Sequence, residues 1–576
     1  MRRKKIVCIG LIGLIGLISP VVFGQTPDQQ GFELMKNLDI YSNVIKELNQ
    51  DYVDEINPGE LTKTGIEAMF KSLDPYTNFI PESEVEDYKF ITTGQYGGIG
   101  ALIHQHGDYV IISEPYQNSP AQKFGLKAGD KILEINGKEA KGKSYDDVSS
   151  ILKGQAGTTV NLLIEREGEG KPFEKSITRE IIKIDNIPYS GMVDQSTGYI
   201  KLSGFTQNAA KETRQAFLKL KETNPDLKGI IIDLRGNGGG LLNEAVDIAN
   251  IFVERGLEIV STKGKMADKN RAHLTMNPPV DLNIPVVVLV DRSSASASEI
   301  LAGSLQDLDR GIIVGQRTFG KGLVQNVVPL SYNAQMKITV AKYYIPSGRC
   351  IQAIDYGHKL NDGSFGKIPD SLIRAFKTKS GRVVYDGGGI SPDVITKPMK
   401  FSNLALTLYS KYLIFDFATA FAREHPTIPP ADVFAINDTI YNDFLAYIKG
   451  KDYSYTTRSE KALELLKNNA LKENYFGAIK DEYEHLKSRM ESDKKDDFKK
   501  YEDQIRDLLR MEIVTRYYYQ QGKILSALKD DPDIAQAIAT LKDQEKYIAI
   551  LSGKYVQPKP EIPAPGDVED EDNTDE

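Results

Sequence analysis

Residues 284–307 read IPVVVLVDRSSASASEILAGSLQD. Ile284–Val290 is apolar throughout, so both faces of this strand are buried, as in a sheet covered by helices on each side. The segment then turns through Asp291 and a run of serines into a helix over 297–306, and a strand feeding a helix is the unit of an α/β layer. The same grammar extends outward. Gly229–Asp233 (GIIID) precedes a glycine loop and a helix over 241–252, and Gly311–Val314 follows the serine segment as a further strand. Residues 184–400 therefore read as an α/β core.

Upstream the pattern differs. From about Gly94 to Glu167 short strands alternate with turns: Tyr109–Ile112, Lys131–Ile135 before Asn136-Gly137, and Val160, Leu162 and Ile164 alternating with polar residues. Ser144, with Asp147 three residues on, opens a helix carrying Val148, Ile151 and Leu152. Residues 30–85 place Leu34, Leu38, Ile45, Leu48, Ile66, Met69 and Phe70 at near-helical spacing and read as short helices ending at Asp74-Pro75. After Ile390-Ser391-Pro392-Asp393 the chain turns helical again, over 404–421, 432–449 and on to about Leu551, with a Lys-, Asp- and Glu-rich solvated stretch over 474–505. From Pro558 it is proline-rich, then acidic, and reads as disordered. The predicted fold class is multidomain α/β and α+β. It comprises a signal segment 1–24, an N-terminal helical segment 25–85, an inserted β-rich domain 86–183, the α/β core 184–400, a helical C-terminal domain 401–555 and an acidic tail 556–576.

The 576 residues exceed what one core can serve. An apolar share of 40% and a charged share of 26% exclude a wholly disordered, collagenous or polytopic membrane chain. A net charge of −8 disfavours binding to a nucleic-acid backbone, which draws its affinity from counterion release. Arg2–Lys5 are basic, residues 6–18 (IVCIGLIGLIGLI) are apolar, and Val22-Phe23-Gly24 leads to Gln25. That order predicts a secretory signal and export to the periplasm or cell envelope. The alternative is an uncleaved membrane anchor over Ile6–Phe23. Cys8 falls inside this segment, so the processed chain holds Cys350 alone and forms no internal disulfide.

Four motifs bear chemistry. In Ser293-Ser294-Ala295-Ser296-Ala297-Ser298-Glu299 a serine at a strand-to-helix elbow is placed as a nucleophile beside helix N-terminal amides, while Ser296 and Glu299 also satisfy a capping box. In Thr318-Phe319-Gly320-Lys321-Gly322-Leu323-Val324-Gln325 a lysine between glycines in an apolar setting is placed to lose its proton and act as base, with Gln325 four residues on to orient it. The six histidines are scattered, which weakens a Ser-His-Asp reading. Gly315–Gly322 nearly matches a phosphate-binding loop, but Gly322 supplies no hydroxyl and LVQNVVPL reads as a strand where that loop needs a helix. Asp233-Leu-Arg-Gly-Asn-Gly-Gly-Gly240 offers amides for an oxyanion or a substrate strand. Tyr96-Gly97-Gly98-Ile99-Gly100-Ala101 offers adjacent N–H groups for a terminal carboxylate, with the peptide adding as a strand along the edge that follows.

Together these segments resemble the carboxy-terminal processing peptidases, or tail-specific proteases, over roughly residues 35–400. The matching pieces are LDPYTNFIP (73–81), YGGIGA, the PDZ-like SPAQKFGLKAGDKILEINGK (119–138), DLRGNGGG, VLVDRSSASASEILAGSLQD (288–307), GQRTFGKGLVQ, KYYIPSGRCIQ (342–352) and GGGISPD (387–393). The resemblance implies that the β-rich domain is a PDZ domain and that Ser296 is the nucleophile, Lys321 the general base and Gln325 its support. It further implies oxyanion donors from Ala297 and from Gly239 or Gly240, and a carboxylate loop at Ile99, Gly100 and Ala101.

The expected function is that of an exported serine endopeptidase of Ser-Lys type, acting through an acyl-enzyme on proteins with accessible C-terminal tails. No metal or cofactor is expected and no nucleic acid. Residues 401–555 are open to an adaptor or to self-association. The alternative is a non-catalytic PDZ-based scaffold of the cell envelope, in which Ser296 is only a helix cap.

Overall fold

The computed structural model describes residues 27–360 and 363–555. The signal reading of residues 1–24 and the acidic tail lie outside the described residues. The chain divides into two compact units, one ending at Phe79 and one beginning at Ile80. The first is a helical hairpin. Pro27–Asp51 is a single long helix, and Pro58–Lys71 starts on Asn57, whose side chain accepts from the Gly59 N–H at 2.9 Å with Pro58 as its first residue.

The second unit holds the β-rich domain that the resemblance reads as a PDZ domain, the α/β core and a helical region. In the β-rich domain a sheet orders Ala101–His106, Tyr109–Pro115, Lys131–Ile135, Thr159–Glu165 and Phe173–Thr178, and leaves Ala101–His106 at its edge. Asn136 and Gly137 both take positive φ, the geometry of a two-residue hairpin turn. The helix Tyr145–Leu152 is opened by the Ser144–Asp147 capping box and buries Val148 and Leu152 against Val110, Ile112, Ile132 and Val160. Gln95–Gly98 pairs antiparallel with Glu180–Lys183, so the chain enters and leaves the domain through one two-stranded neck.

The core is a six-stranded sheet in the order Tyr189–Met192, Thr197–Lys201, Gly229–Asp233, Val286–Val290, Ile312–Gly315, Val394–Ile395, parallel except for its first pair. One face, carrying Ile230, Ile232, Val286, Val288 and Val290, is covered by Ala209–Thr223, Leu242–Ala249 and the elbow helix Ala297–Asp307. The other, carrying Tyr199, Ile231, Val287, Leu289 and Val314, is covered by Leu528, Ile534, Ala537, Leu541, Tyr547 and Ile550. The second covering layer of the core thus comes from the far end of the chain, in the helices Pro532–Lys542 and Gln544–Leu551. A separate antiparallel sheet of Arg271–Leu274, Glu258–Gly264, Gln335–Tyr344 and Leu323–Pro329 carries the residues after Lys321.

The helical region has its own core around Leu408, Phe417, Phe444, Leu509 and Ile513. The apolar run over 404–421 is two helices, Asn403–Ser410 and Leu413–Glu424, because Tyr412 takes φ +59 between them. These helices seat the β-rich domain. The His104 ring stacks on Tyr412 at 4.0 Å and meets Phe415 edge-on at 4.8 Å, and Arg423 pairs with Glu167 at 3.0 Å. Gln122 donates to the Tyr519 hydroxyl, and Tyr519, at φ +52, breaks the long helix Glu502–Leu528. Among the described residues no helix is long and apolar enough to cross a membrane.

Candidate active site

Strand Val286–Val290 delivers the chain to Asp291, whose carboxylate accepts from the N–H groups of Ser293 and Ser294 at 3.0 Å each and from that of Gly236. This sorts the serines. Ser294 is fully buried, and its hydroxyl donates to the Leu234 carbonyl at 2.9 Å. The Ser298 hydroxyl, also buried, donates to the Asn237 carbonyl at 2.8 Å. Ser296 stands half-buried at the first turn of the elbow helix with φ +57 and ψ −115, a conformation that costs a side-chain-bearing residue about 1–3 kcal/mol. At a strand-to-helix elbow, in a run whose buried neighbours serve the fold, such a serine hydroxyl is free to act as a nucleophile.

The glycine loop lies against this elbow. Ala295 N–H donates to the Asn237 carbonyl at 3.1 Å. A Cβ on Gly239, at φ +101, would stand 2.6 Å from the Ala295 carbonyl oxygen, 2.8 Å from Ser296 Cβ and 2.9 Å from Ala297 N. Only glycine fits there. The Gly239 N–H donates to Asn237 Oδ1 at 2.8 Å, whereas Gly240 N–H and Ala297 N–H donate to no acceptor among the described residues.

Lys321 is brought to Ser296 through two other side chains. Glu299, fully buried, accepts from Ser296 N–H and Lys321 N–H on the same oxygen, Oε2, at 2.9 Å each, so the two amide nitrogens are at most twice that distance apart. Its Oε1 accepts from the Thr318 hydroxyl at 2.5 Å and from Gly320 N–H at 2.7 Å. The Tyr343 hydroxyl makes a second bridge, donating to the Ser296 carbonyl at 3.2 Å and also contacting the Lys321 carbonyl. Burial pushes the Glu299 carboxyl up to about 7, against the pull of these four donors toward the anion.

Gln325 sits on the strand Leu323–Pro329, its amide donating to Thr339 Oγ1 at 3.3 Å. The register with Gln335–Tyr344 shifts between Val324 and Gln325, the extra residue, Val340, lying on that partner strand. The strand following Gly322 leaves a phosphate-binding loop without its helix. Gln325 lines a cavity of about 360 Å³ together with Leu241, Leu242, Val324, Ala341 and His273.

Ile99, Gly100 and Ala101 belong to the β-rich domain, at the start of its edge strand. The carbonyls of Ile99 and Gly100 accept from Ala121 N–H at 2.7 Å and Tyr116 N–H at 2.9 Å, and the Ser119 hydroxyl also donates to Gly100 at 2.7 Å. The buried N–H groups of Ile99 and Gly100 donate to no acceptor among the described residues, which suits a carboxylate ligand.

Three residues of this architecture escape a reading of motifs. Glu299 reads as a capping partner, but its carboxylate holds the elbow and the lysine loop together. Asn237 is hidden among glycines, and Tyr343 lies in KYYIPSGRCIQ, to which no role is attached. The available signal was the glutamate itself, a charge in the first turn of a helix that follows a wholly apolar strand.

Comparison with known proteins gives matches along most of the second unit. The family model for Peptidase family S41 matches residues 196–362, that for the PDZ domain residues 111–166, and that for the Probable PDZ-protease, C-terminal helical domain residues 404–541. A Bartonella bacilliformis protein named carboxy-terminal-processing protease is 36% identical over 322 residues, 55% of this chain and 73% of that protein. The carboxy-terminal processing protease CtpA of Bacillus subtilis is 29% identical over 433 residues, 74% of this chain and 90% of that protein. Among solved structures, a photosystem II D1 C-terminal processing protease aligns with a TM-score of 0.35 and 28% identity, covering 64% of this chain and 88% of its own.

Proposed function

The chain belongs to the carboxy-terminal processing protease family, and from that membership we propose that it is an exported serine endopeptidase of Ser-Lys type that cleaves proteins recognised through their C-terminal tails. The observation that carries this reading is the Glu299 carboxylate joining Ser296 N–H to Lys321 N–H, with the Tyr343 hydroxyl as a second tie.

In the proposed mechanism neutral Lys321 takes the Ser296 hydroxyl proton as Oγ attacks the scissile carbonyl. Ala297 N–H and an amide of the glycine loop receive the oxyanion; with Gly239 N–H engaged by Asn237, Gly240 N–H is the free candidate. Collapse breaks the C–N bond, the Lys321 ammonium returns its proton to the leaving amine, and a serine ester remains. Water then attacks the ester, giving a proton to Lys321; collapse breaks the ester C–O bond, the ammonium returns that proton to Ser296 Oγ, and the acid is released. Gln325 supports the lysine in this scheme. Ile99, Gly100 and Ala101 receive the tail carboxylate, so that the PDZ domain presents the substrate, and residues 401–555 are open to an adaptor or a second copy.

Ser296→Ala and Lys321→Ala are each expected to lower turnover of an unfolded substrate by more than about 1,000-fold, with the fold kept. Mass spectrometry of the wild type under acid quench should find acyl adduct on Ser296. Activity should fall as acid protonates the base. A profile flat to pH 5, or turnover surviving Ser296→Ala, overturns the Ser-Lys scheme; a wild type without turnover leaves the scaffold reading, in which Ser296 is a cap worth about 1 kcal/mol.

A further inference from the structure

Arg235 stands at the neck of the glycine loop, two residues beyond the strand Gly229–Asp233 and directly before Gly236. Its guanidinium spans two parts of the chain nearly 300 residues apart. On one side Nη2 meets Asp233 Oδ2 at 2.8 Å and Nε meets Asp233 Oδ1 at 3.1 Å. On the other, Nη1 donates to Asp531 Oδ1 at 3.1 Å and Asp533 Oδ2 at 3.0 Å, and Nη2 lies 2.8 Å from Asp531 Oδ2. The side chains are 19% exposed for Arg235, 16% for Asp531, 11% for Asp533 and 2% for Asp233, so water screens little of this cluster. Lys201 completes it, meeting Asp233 at 3.3 Å and donating to the Arg235 carbonyl at 2.6 Å.

Asp531 and Asp533 open the helix Pro532–Lys542. That helix is already held to the sheet by Ile534, Ala537 and Leu541, so its docking does not depend on the ion pairs. What the pairs add is a grip on the loop. From Arg235 the contacts run on through Gly236 N–H to Asp291, through Asn237 to Ala295 and Ser298, and from Asn237 Oδ1 to Gly239 N–H.

We propose that Asp531 and Asp533 are positioning residues for the glycine loop, so that the helical end of the chain is part of the catalytic apparatus. The bidentate fork fixes where Arg235 lies, and the amides that follow it inherit that position. The catalytic consequence rests on the function proposed above; the hold on the loop does not.

The test is the full-length double variant Asp531→Asn/Asp533→Asn. Asparagine still caps a helix, so Asp531's role as cap to the Asp533 and Ile534 N–H groups is retained while the charges are removed. The expected result is a fall in kcat of about 10- to 100-fold with KM within about two-fold, and faster hydrogen exchange of the amides over 234–241. Arg235→Lys, which keeps the charge and loses the fork, should fall in the same direction by less. Unchanged kcat together with unchanged exchange overturns the proposal. If Ser296→Ala leaves wild-type turnover intact, the peptidase reading fails, and exchange alone decides: faster exchange sustains the hold on the loop, unchanged exchange refutes it. Should the double variant not fold, Asp533→Asn, which leaves both Asp531 contacts, is judged by the same two readouts.

Discussion

At the scale of single residues, Glu299 is the group around which the site is arranged. Four donors converge on a carboxylate with no accessible surface. Burial raises it from 4.5 to about 7, so between those values the folded protein holds a proton that the unfolded chain has released. Stability from this group is fully present below about pH 4.5 and is lost as pH rises through 7. Glu299→Gln should remove that slope from a plot of melting temperature against pH. It also turns amide hydrogens toward N–H donors, and should cost about 2–4 kcal/mol in urea denaturation at pH 6. Wild-type and variant curves that run parallel across pH 5–8 would refute this account.

At the scale of elements, the glycine loop and the elbow are two turns built to touch. Gly239 and Gly236 both have positive φ, but a Cβ at 239 meets the elbow backbone while one at 236 meets nothing within 4 Å. Gly239→Ala should therefore displace Ser296 and Ala297, lowering kcat by about 100-fold or more and stability by about 1–3 kcal/mol. Gly236→Ala pays the conformational strain of about 1 kcal/mol and should keep most of its kcat. Equal losses of kcat in the two variants would show that strain, rather than contact, matters. Elements of this kind were largely legible from residue patterns: Gly229–Asp233, Lys131–Ile135 and the Ser144–Asp147 cap all stand where their spacing places them. The bulge at Val340 was not, because it answers to the pairing of Gln335–Tyr344 with Leu323–Pro329 rather than to anything in its own run KITVAKYY.

At the scale of the whole molecule, the C-terminal helices have two attachments, one to the far face of the core sheet and one to the PDZ domain. The second carries a titratable ring. Burial, aided by His106 and opposed by Glu512, pushes His104 down to about 4; Arg516 also lowers it. Its Nδ1 shares a 2.5 Å hydrogen bond with Ser113, and Nε2 is buried without a partner among the described residues. Burial favours the neutral ring, so this group's stabilisation is present above about pH 6.5 and is lost as pH falls through 4. Acidification should speed hydrogen exchange over 101–106 and 412–415 before it does so in the core sheet. His104→Phe, which cannot charge, should abolish that early phase, and its persistence in the variant would place the acid-sensitive group elsewhere.

The sequence by itself determined the layered core, the β-rich insert, the helical end and the segments from which the proposed site is drawn. Each of these is written in the spacing of neighbouring residues, where hydrophobic period, turn glycines and capping pairs act over a few positions. Tertiary structure alone decided that Glu299 joins residues 296 and 321, that Asp531 and Asp533 grip Arg235, and that the last helices roof the sheet. Those are pairings between distant segments. A carboxylate or an apolar helix face states that it needs a partner, and only the folded packing selects which one.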